Sequence, residues 1–227
     1  MNLSVLVGSC DKYEFIWEQF FVLFDRYWDH SMDIKKYFLV GEKDIPSNSF
    51  INLKSKTNDW CDSVLYALDN IDTDYVLWLQ DDYFLQKQIN YIKFKKYLSF
   101  INDNHILRFG IYQHNPAYNY SININNIFRL SQNSCYTISM QASIWNKDFL
   151  KGSIIYFKKH CLNFKLDPNQ WNFETHGSSM LNRLIENHRI CIDIQSKPWY
   201  LEALKQGKYT FDYYNICRRE KLIGEKI

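Results

Sequence analysis

The sequence has no C-x-x-C pair, and its six cysteines, at positions 10, 61, 135, 161, 191 and 217, do not cluster with histidine. That excludes a zinc site of ordinary spacing and a dithiol redox motif. Single cysteines scattered through a chain of this length read instead as reduced, mostly buried small hydrophobes. An excess of charge is also missing: 27 Lys+Arg stand against 25 Asp+Glu, a formal net charge of +2. A dedicated nucleic-acid binder needs a concentrated basic face, so no nucleic-acid partner is expected. Glycine (7) and proline (4) are scarce, no internal repeat occurs, and no linker splits the chain. The histidines form no H-E-x-x-H, and G-x-S-x-G, G-x-x-x-x-G-K-[ST] and G-x-G-x-x-G are all absent. Hydrolase-elbow, P-loop and dinucleotide-fingerprint readings fall with them. The start, Met1 to Asp11, lacks a basic n-region and a signal-length apolar stretch, and no apolar run is long enough to span a bilayer. We expect a cytoplasmic protein that at most touches a membrane from the inside.

What is present is a chain of 227 residues, enough for one domain with a real core. Charged residues at 23% and hydrophobic residues at 46% exclude a disordered chain. Aromatics reach 18%, surface equally suited to core filling and to a cleft for sugars or bases. Apolar runs at Leu3–Val7, Tyr37–Val40, Tyr75–Leu79, Ile106–Tyr112 and Ile190–Ile194 read as strands. Helical spacing covers 13–28, 60–71 and 89–102. Residues 42–58 read as loop around a short strand near Phe50-Ile51, and 113–134 as a long loop carrying a short hairpin. From Tyr136 to Trp145 a strand is expected, turning into a short helix at 146–150. Another helix opens after Pro168 and lasts to about Asn187, and a polar tail follows Pro198-Trp199-Tyr200. Alternating strands and helices point to a single α/β sandwich with a mostly parallel central sheet.

Chemistry concentrates in three places. Leu77-Trp78-Leu79-Gln80-Asp81-Asp82-Tyr83-Phe84 closes an apolar strand with adjacent carboxylates, which is costly unless something positive is held there. At the carboxyl end of a sheet strand a divalent cation fits, and hard oxygen ligands select Mg²⁺ or Mn²⁺. An ordinary acidic turn explains the same residues. Asp11, after the first strand, faces the same sheet edge and could accept from a nucleobase, or form a capping box with Glu14. Glu174 lies amid aromatics in Trp171-Asn172-Phe173-Glu174, where burial would raise its pKa toward that of a general base. A surface glutamate in a first helical turn is the alternative. His114 at a strand end and His176 beside Glu174 read as satisfied or solvent-facing, although either could line a cleft.

Taken in order, the pieces resemble the GT-A type of nucleotide-sugar glycosyltransferase, in particular small bacterial enzymes of capsule and lipopolysaccharide assembly. The resemblance rests on Val5-Leu6-Val7-Gly8-Ser9-Cys10-Asp11, the Trp60–Leu68 helix and the segment ending Gln80-Asp81-Asp82-Tyr83-Phe84. It continues through Ser139–Trp145, Trp171-Asn172-Phe173-Glu174 and Tyr200–Lys208. It implies one domain over 1–227, with a nucleotide-sugar-binding half at 1–112 and an acceptor-side half with the tail at 113–227. It implies Mn²⁺ or Mg²⁺ at Asp82, and a donor, UDP- or GDP-linked, beside Ser9, Asp11, Trp60, Gln80 and Asp81. The metal motif of that family is D-x-D, from which Gln80 departs in the first place. Glu174 would be the catalytic base of an inverting displacement, and Tyr83, Trp145 and Trp171 are candidates to stack on sugar rings, each equally readable as core. The acceptor would be a glycan or a lipid-linked glycan. The tail from Lys205 to Ile227 mixes basic residues and aromatics with Asp212, Glu220 and Glu225, which reads as a solvated helix or, alternatively, as a peripheral contact with an anionic membrane. A nucleotidyltransferase normally shows a Gly- and Lys-rich first loop, which Gly8-Ser9-Cys10-Asp11-Lys12 does not provide. A non-catalytic carbohydrate binder would need neither Asp82 nor Glu174.

Overall fold

Strands covered on both faces need apolar side chains pointing both ways, and the first strand meets that need. The computed structural model describes residues 1–111, 118–122, 127–130, 137–181, 189–193 and 199–223. In β1 (Leu3–Gly8), Leu3, Val5 and Val7 enter one core cluster and Leu6 the other. A 3-10 turn (Asp11–Tyr13) leads into α1 (Glu14–Tyr27), whose Ile16, Trp17, Phe20, Leu23 and Phe24 recur at helical spacing and are buried. Then come β2 (Lys36–Val40), β3 (Ile51–Lys54) and α2 (Trp60–Asp69), started by the Asp59 side chain, which accepts from Asp62 N at 3.0 Å. In β4 (Tyr75–Gln80), Leu77 and Leu79 join the first cluster while Val76 and Trp78 join the second. The chain continues through β5 (Tyr83–Leu85), α3 (Tyr91–Asp103), β6 (Arg108–Gly110), β7 (Tyr118–Ile122), β8 (Ile127–Leu130) and β9 (Ser143–Asn146). It ends with α4 (Lys147–Phe164), α5 (Gln170–Asn172), a π-helical turn (Phe173–Gly177), α6 (Ser178–Leu181) and β10 (Ile190–Asp193). After β10 come β11 (Tyr200–Glu202), β12 (Leu204–Lys205), β13 (Lys208–Tyr209) and α7 (Phe211–Arg219).

Nine of the described strands form one sheet in the order β3-β2-β1-β4-β9-β6-β10-β8-β7. β9 and β8 run against the other seven, so the sheet is mostly parallel in direction, as expected. α1, α3 and α7 pack on one face and α2 and α4 on the other, giving the two clusters and the α/β sandwich. β9, from the second half of the chain, lies between β4 and β6, from the first. One sheet therefore runs through both halves.

Four expectations change. Of the strand expected from Tyr136 to Trp145, only β9 forms among the described residues, and 137–142 are irregular. The short helix at 146–150 runs on to Phe164, its inner face formed by Leu150, Ile154, Phe157 and Cys161. β10 is not the last strand: β11 pairs antiparallel with β5, Glu202 opposite Tyr83, and the tail folds as the β12–β13 hairpin and α7. The capping box is not formed, because Asp11 is itself the first residue of the 3-10 turn and its carboxylate is spent elsewhere. The hairpin expected within 113–134 is β7–β8. His114, Cys135, His188 and the helix beyond Leu181 lie outside the described residues.

Candidate active site

The chain leaves β1 toward β2 and β3 on one side, then returns to β4 on the other. At such a reversal the loops at the strand ends separate and open a crevice, where α/β sheets bind ligands. The loop after β1 and the turn after β4 lie side by side there, since Gly8 is in register with Gln80 and Asp81 N donates to Gly8 O at 3.3 Å. Between them is a hollow of about 340 Å³. Its walls include Ser9, Asp11, Tyr13, Trp60, Gln80, Asp81 and Asp82, with Trp78 at the base. Gly8 makes that base possible, because a Cβ there would sit 2.5 Å from Trp78 Cζ2. Among the described residues the lining holds three aspartates and no lysine, arginine or histidine. Once its carboxyls ionise, such a hollow repels a phosphate unless a cation comes with it.

The three aspartates do different work. Asp11 accepts Gly41 N and Glu42 N at 2.9 Å each, one on each carboxylate oxygen, and so clamps the loop after β2 to the loop after β1. Asp81 is only 3% exposed. Its Oδ2 accepts from Ser9 Oγ and from Trp17 Nε1, the latter at 3.1 Å, and burial pushes its carboxyl up to about 7. Asp82 is pushed up to about 8, by burial first and then by the negative charges of Asp81, Glu202 and Glu174. Its Oδ1 is buried and has no hydrogen-bond partner among the described residues. β11 holds the Asp82 backbone in place, Ala203 N donating to Asp82 O at 2.7 Å.

Glu174 sits in the π-helical turn, a local irregularity often found at functional sites. Its carboxylate accepts from Met140 N, and burial raises its pKa against a lowering contribution from Arg108. Segment 137–140 is secured on both sides. Ile138 N donates to Ser178 Oγ at 2.9 Å, and the fully buried Arg108 donates to Thr137 O and Ser139 O at 3.2 Å each. Glu174 is outside the lining of the hollow, yet close enough for Asp82 and Tyr83 to feel its charge. Asp11 and Asp82 therefore share one hollow, and Glu174 stands beside it.

The aromatic candidates separate. Trp145 is fully buried under Arg108, whose guanidinium lies 5.3 Å from the indole, and is stacked on Phe149. It is core and cannot stack on a sugar, because β9 is covered on both faces. Tyr83 is half-buried, edge-on to Tyr200, and its hydroxyl is held protonated by burial and by the charge of Asp82. Trp171 is 65% exposed, next to Gln170, which lines the hollow. Trp60 lines the hollow and packs against Phe173. His176 is exposed. Sequence reasoning missed Gln170, Thr57, Asn58, Gly41, Glu202 and the buried Arg108. Only the Thr57-Asn58 turn before α2 carried a local signal, since its neighbours are short polar residues preceding an N-cap.

Among the described residues no three His, Cys, Asp or Glu side chains converge to hold a metal on their own. Mg²⁺, however, is commonly held by one or two carboxylates together with substrate phosphates. Asp82 Oδ1, unpartnered in a hollow whose described lining carries no cationic side chain, fits that mode.

No protein-family model matches the chain, and no curated protein matches it. Solved structures do share its fold. S. aureus TarS 1–349 in complex with UDP-GlcNAc is similar at a TM-score of 0.56 and 17% identity, over 98% of this chain and 66% of that one. A longer S. aureus TarS structure matches at 0.55 and 17% identity, over 98% of this chain and 39% of that one. Francisella tularensis 2-C-methyl-D-erythritol 4-phosphate cytidylyltransferase (IspD) matches at 0.52 and 11% identity, over 95% of this chain and 99% of that one. The chain thus spans just under two thirds of the shorter TarS structure. At these identities the likeness is one of fold: the chain has the GT-A-type α/β fold of the glycosyltransferase TarS.

Proposed function

We propose that the chain transfers a sugar from a nucleoside-diphosphate donor, UDP- or GDP-linked, to a hydroxyl of a glycan or lipid-linked acceptor in bacterial surface polysaccharide synthesis. The observation that carries this reading is the hollow at the sheet's switch point, lined by Asp11, Asp81 and Asp82 and, among the described residues, by no basic side chain. Its polar walls of Ser9, Asp11 and Gln80 and its flat Trp60 face suit a nucleoside, with Asp81 holding the turn on which Asp82 sits. Mn²⁺ or Mg²⁺ would be held by Asp82 and would offset the charge of the donor diphosphate.

Glu174 is then the base that takes the acceptor hydroxyl proton as the oxygen attacks the anomeric carbon from the face opposite the departing diphosphate. A carboxyl raised by burial is suited to this work near neutrality. Tyr83 and the exposed Trp171 flank the acceptor side, where aromatic rings suit a sugar. The test is Glu174→Gln. Transfer falls by about 10²–10⁴, the usual range for loss of a general base, while donor binding is retained. Equal transfer rates in the two proteins would remove Glu174 from the mechanism.

A second reading is favoured by one observation, the likeness to the F. tularensis cytidylyltransferase over 99% of that chain. It predicts diphosphate release from CTP or UTP with a sugar or polyol phosphate. Among the described residues no lysine or arginine lines the hollow, which speaks against it, since a triphosphate brings more negative charge than a diphosphate.

A further inference from the structure

α4 is the longest described helix, and its outer face is left uncovered. Leu150, Ile154, Phe157 and Cys161 point into the core. One flank is tied to α2, since Lys151 pairs with Asp69, and Lys158 with Asp59 and Asp62. Opposite the core, Asp148, Gly152, Ile155, Lys159 and Leu162 are all exposed, Ile155 to 39% and Leu162 to 76%. Steps of four, three, four and three residues set these five in one line along the helix, the spacing of a seam between two helices. Tyr156, 47% exposed, borders the line. Large apolar side chains exposed together mark a contact surface.

The line is complementary to itself. Asp148 and Lys159 stand about 16 Å apart along the helix, too far to meet each other. Neither is engaged in an ion pair among the described residues. Between them lies Gly152, in a helix interior where glycine costs stability relative to alanine. A Cβ there would meet nothing within 4 Å, so packing within the chain gives no reason for this glycine. The midpoint of Asp148 and Lys159 is also the midpoint of Gly152 and Ile155. A second α4 turned over about that point and running antiparallel sets each Asp148 against the partner's Lys159. The same rotation seats each Ile155 in the gap left by the partner's Gly152. One two-fold axis thus satisfies two ion pairs and two packing contacts.

We propose that this face of α4 is the interface of a homodimer in which two copies of the helix pack antiparallel about a two-fold axis between Gly152 and Ile155. No described helix is long and apolar enough to cross a membrane, α4 included. A stripe with one acid and one base at matching distances from its centre fits a copy of itself better than a surface of one sign. α4 starts at the sheet edge where β4 begins, Asn146 lying opposite Tyr75. It runs toward the edge that bears the hollow, where Gln170 follows it. The antiparallel arrangement therefore places the two hollows at opposite ends of the dimer.

The test is sedimentation equilibrium of the full chain, in which wild type is expected to dimerise reversibly at micromolar concentration. Gly152→Leu fills the gap and abolishes the dimer. Its thermal midpoint, read at a dilution where wild type is monomeric, is retained, because the new side chain meets nothing within its own chain. Asp148→Lys and Lys159→Glu, each alone, oppose like charges twice across the axis and weaken the dimer by at least about tenfold. An equimolar mixture of these two variants restores it, since each supplies the charge the other lacks. Wild type that stays monomeric up to about 100 μM overturns the proposal. So does a dimer that Gly152→Leu leaves unchanged, or a mixture that associates no more tightly than either variant alone.

Discussion

Replacing Asp81 by asparagine should change how stability depends on pH, in a direction fixed by where its carboxyl sits. Burial raises that carboxyl from 3.8 to about 7 in the folded protein. A group that holds its proton more tightly when folded stabilises the fold below its unfolded pKa, and that contribution is lost as pH rises through the folded pKa. Between pH 4 and 7 the loss from Asp81 is about 4 kcal/mol, at about 1.4 kcal/mol per pH unit. For a chain of this size that corresponds to about 8–16 °C in thermal midpoint. Asparagine keeps the geometry, because Ser9 Oγ and Trp17 Nε1 both point at a single oxygen, Oδ2, which the amide oxygen can replace. It cannot ionise. Thermal unfolding in a chelator, without nucleotide, should therefore show wild type losing stability from pH 4 to 8 and Asp81→Asn losing less, by about the Asp81 share, with the slope that remains belonging to Asp82. Superimposable pH profiles would refute the assignment of a buried, proton-holding carboxyl to Asp81.

Gly41→Ala places a Cβ 2.8 Å from Asp11 Oδ2 and forces that carboxylate off the two backbone N–H groups it holds. A loss of about 1–3 kcal/mol is expected, and chemical denaturation of Gly41→Ala, Asp11→Ala and the double variant should be clearly non-additive. Arg108→Gln removes the positive field that lowers Glu174. The acidic limb of the transfer pH profile should move up, while Arg108→Lys holds it near wild type.

The centre of the sheet was legible because burial on both faces leaves an unmistakable apolar run, as in Leu3–Val7 and Tyr75–Leu79. The strand ends followed from it, so Asp11 and Asp82 could be placed at one edge before any coordinates. What was not legible depends on contacts between segments far apart in sequence. β5 and β11 are three residues each and exist only through each other. Trp145 looked like a ligand platform because nothing local says that helix and sheet cover both its faces. Arg108 at a strand start reads as a surface residue; its burial comes from carbonyls at 137 and 139, about thirty residues away. Asp11 is the instructive case. The cap geometry suggested by Glu14 is local, but the carboxylate's partners, Gly41 and Glu42, belong to the loop after a neighbouring strand.

If the hollow beneath Asp82 takes a nucleoside diphosphate together with a divalent cation, isothermal titration of UDP- and GDP-sugars into wild type and Asp82→Asn, with and without Mn²⁺, will register it. Wild type is expected to bind one such donor more tightly with Mn²⁺, and Asp82→Asn to lose that Mn²⁺ effect. Donor affinity that is the same with and without Mn²⁺, and the same in both proteins, would contradict it.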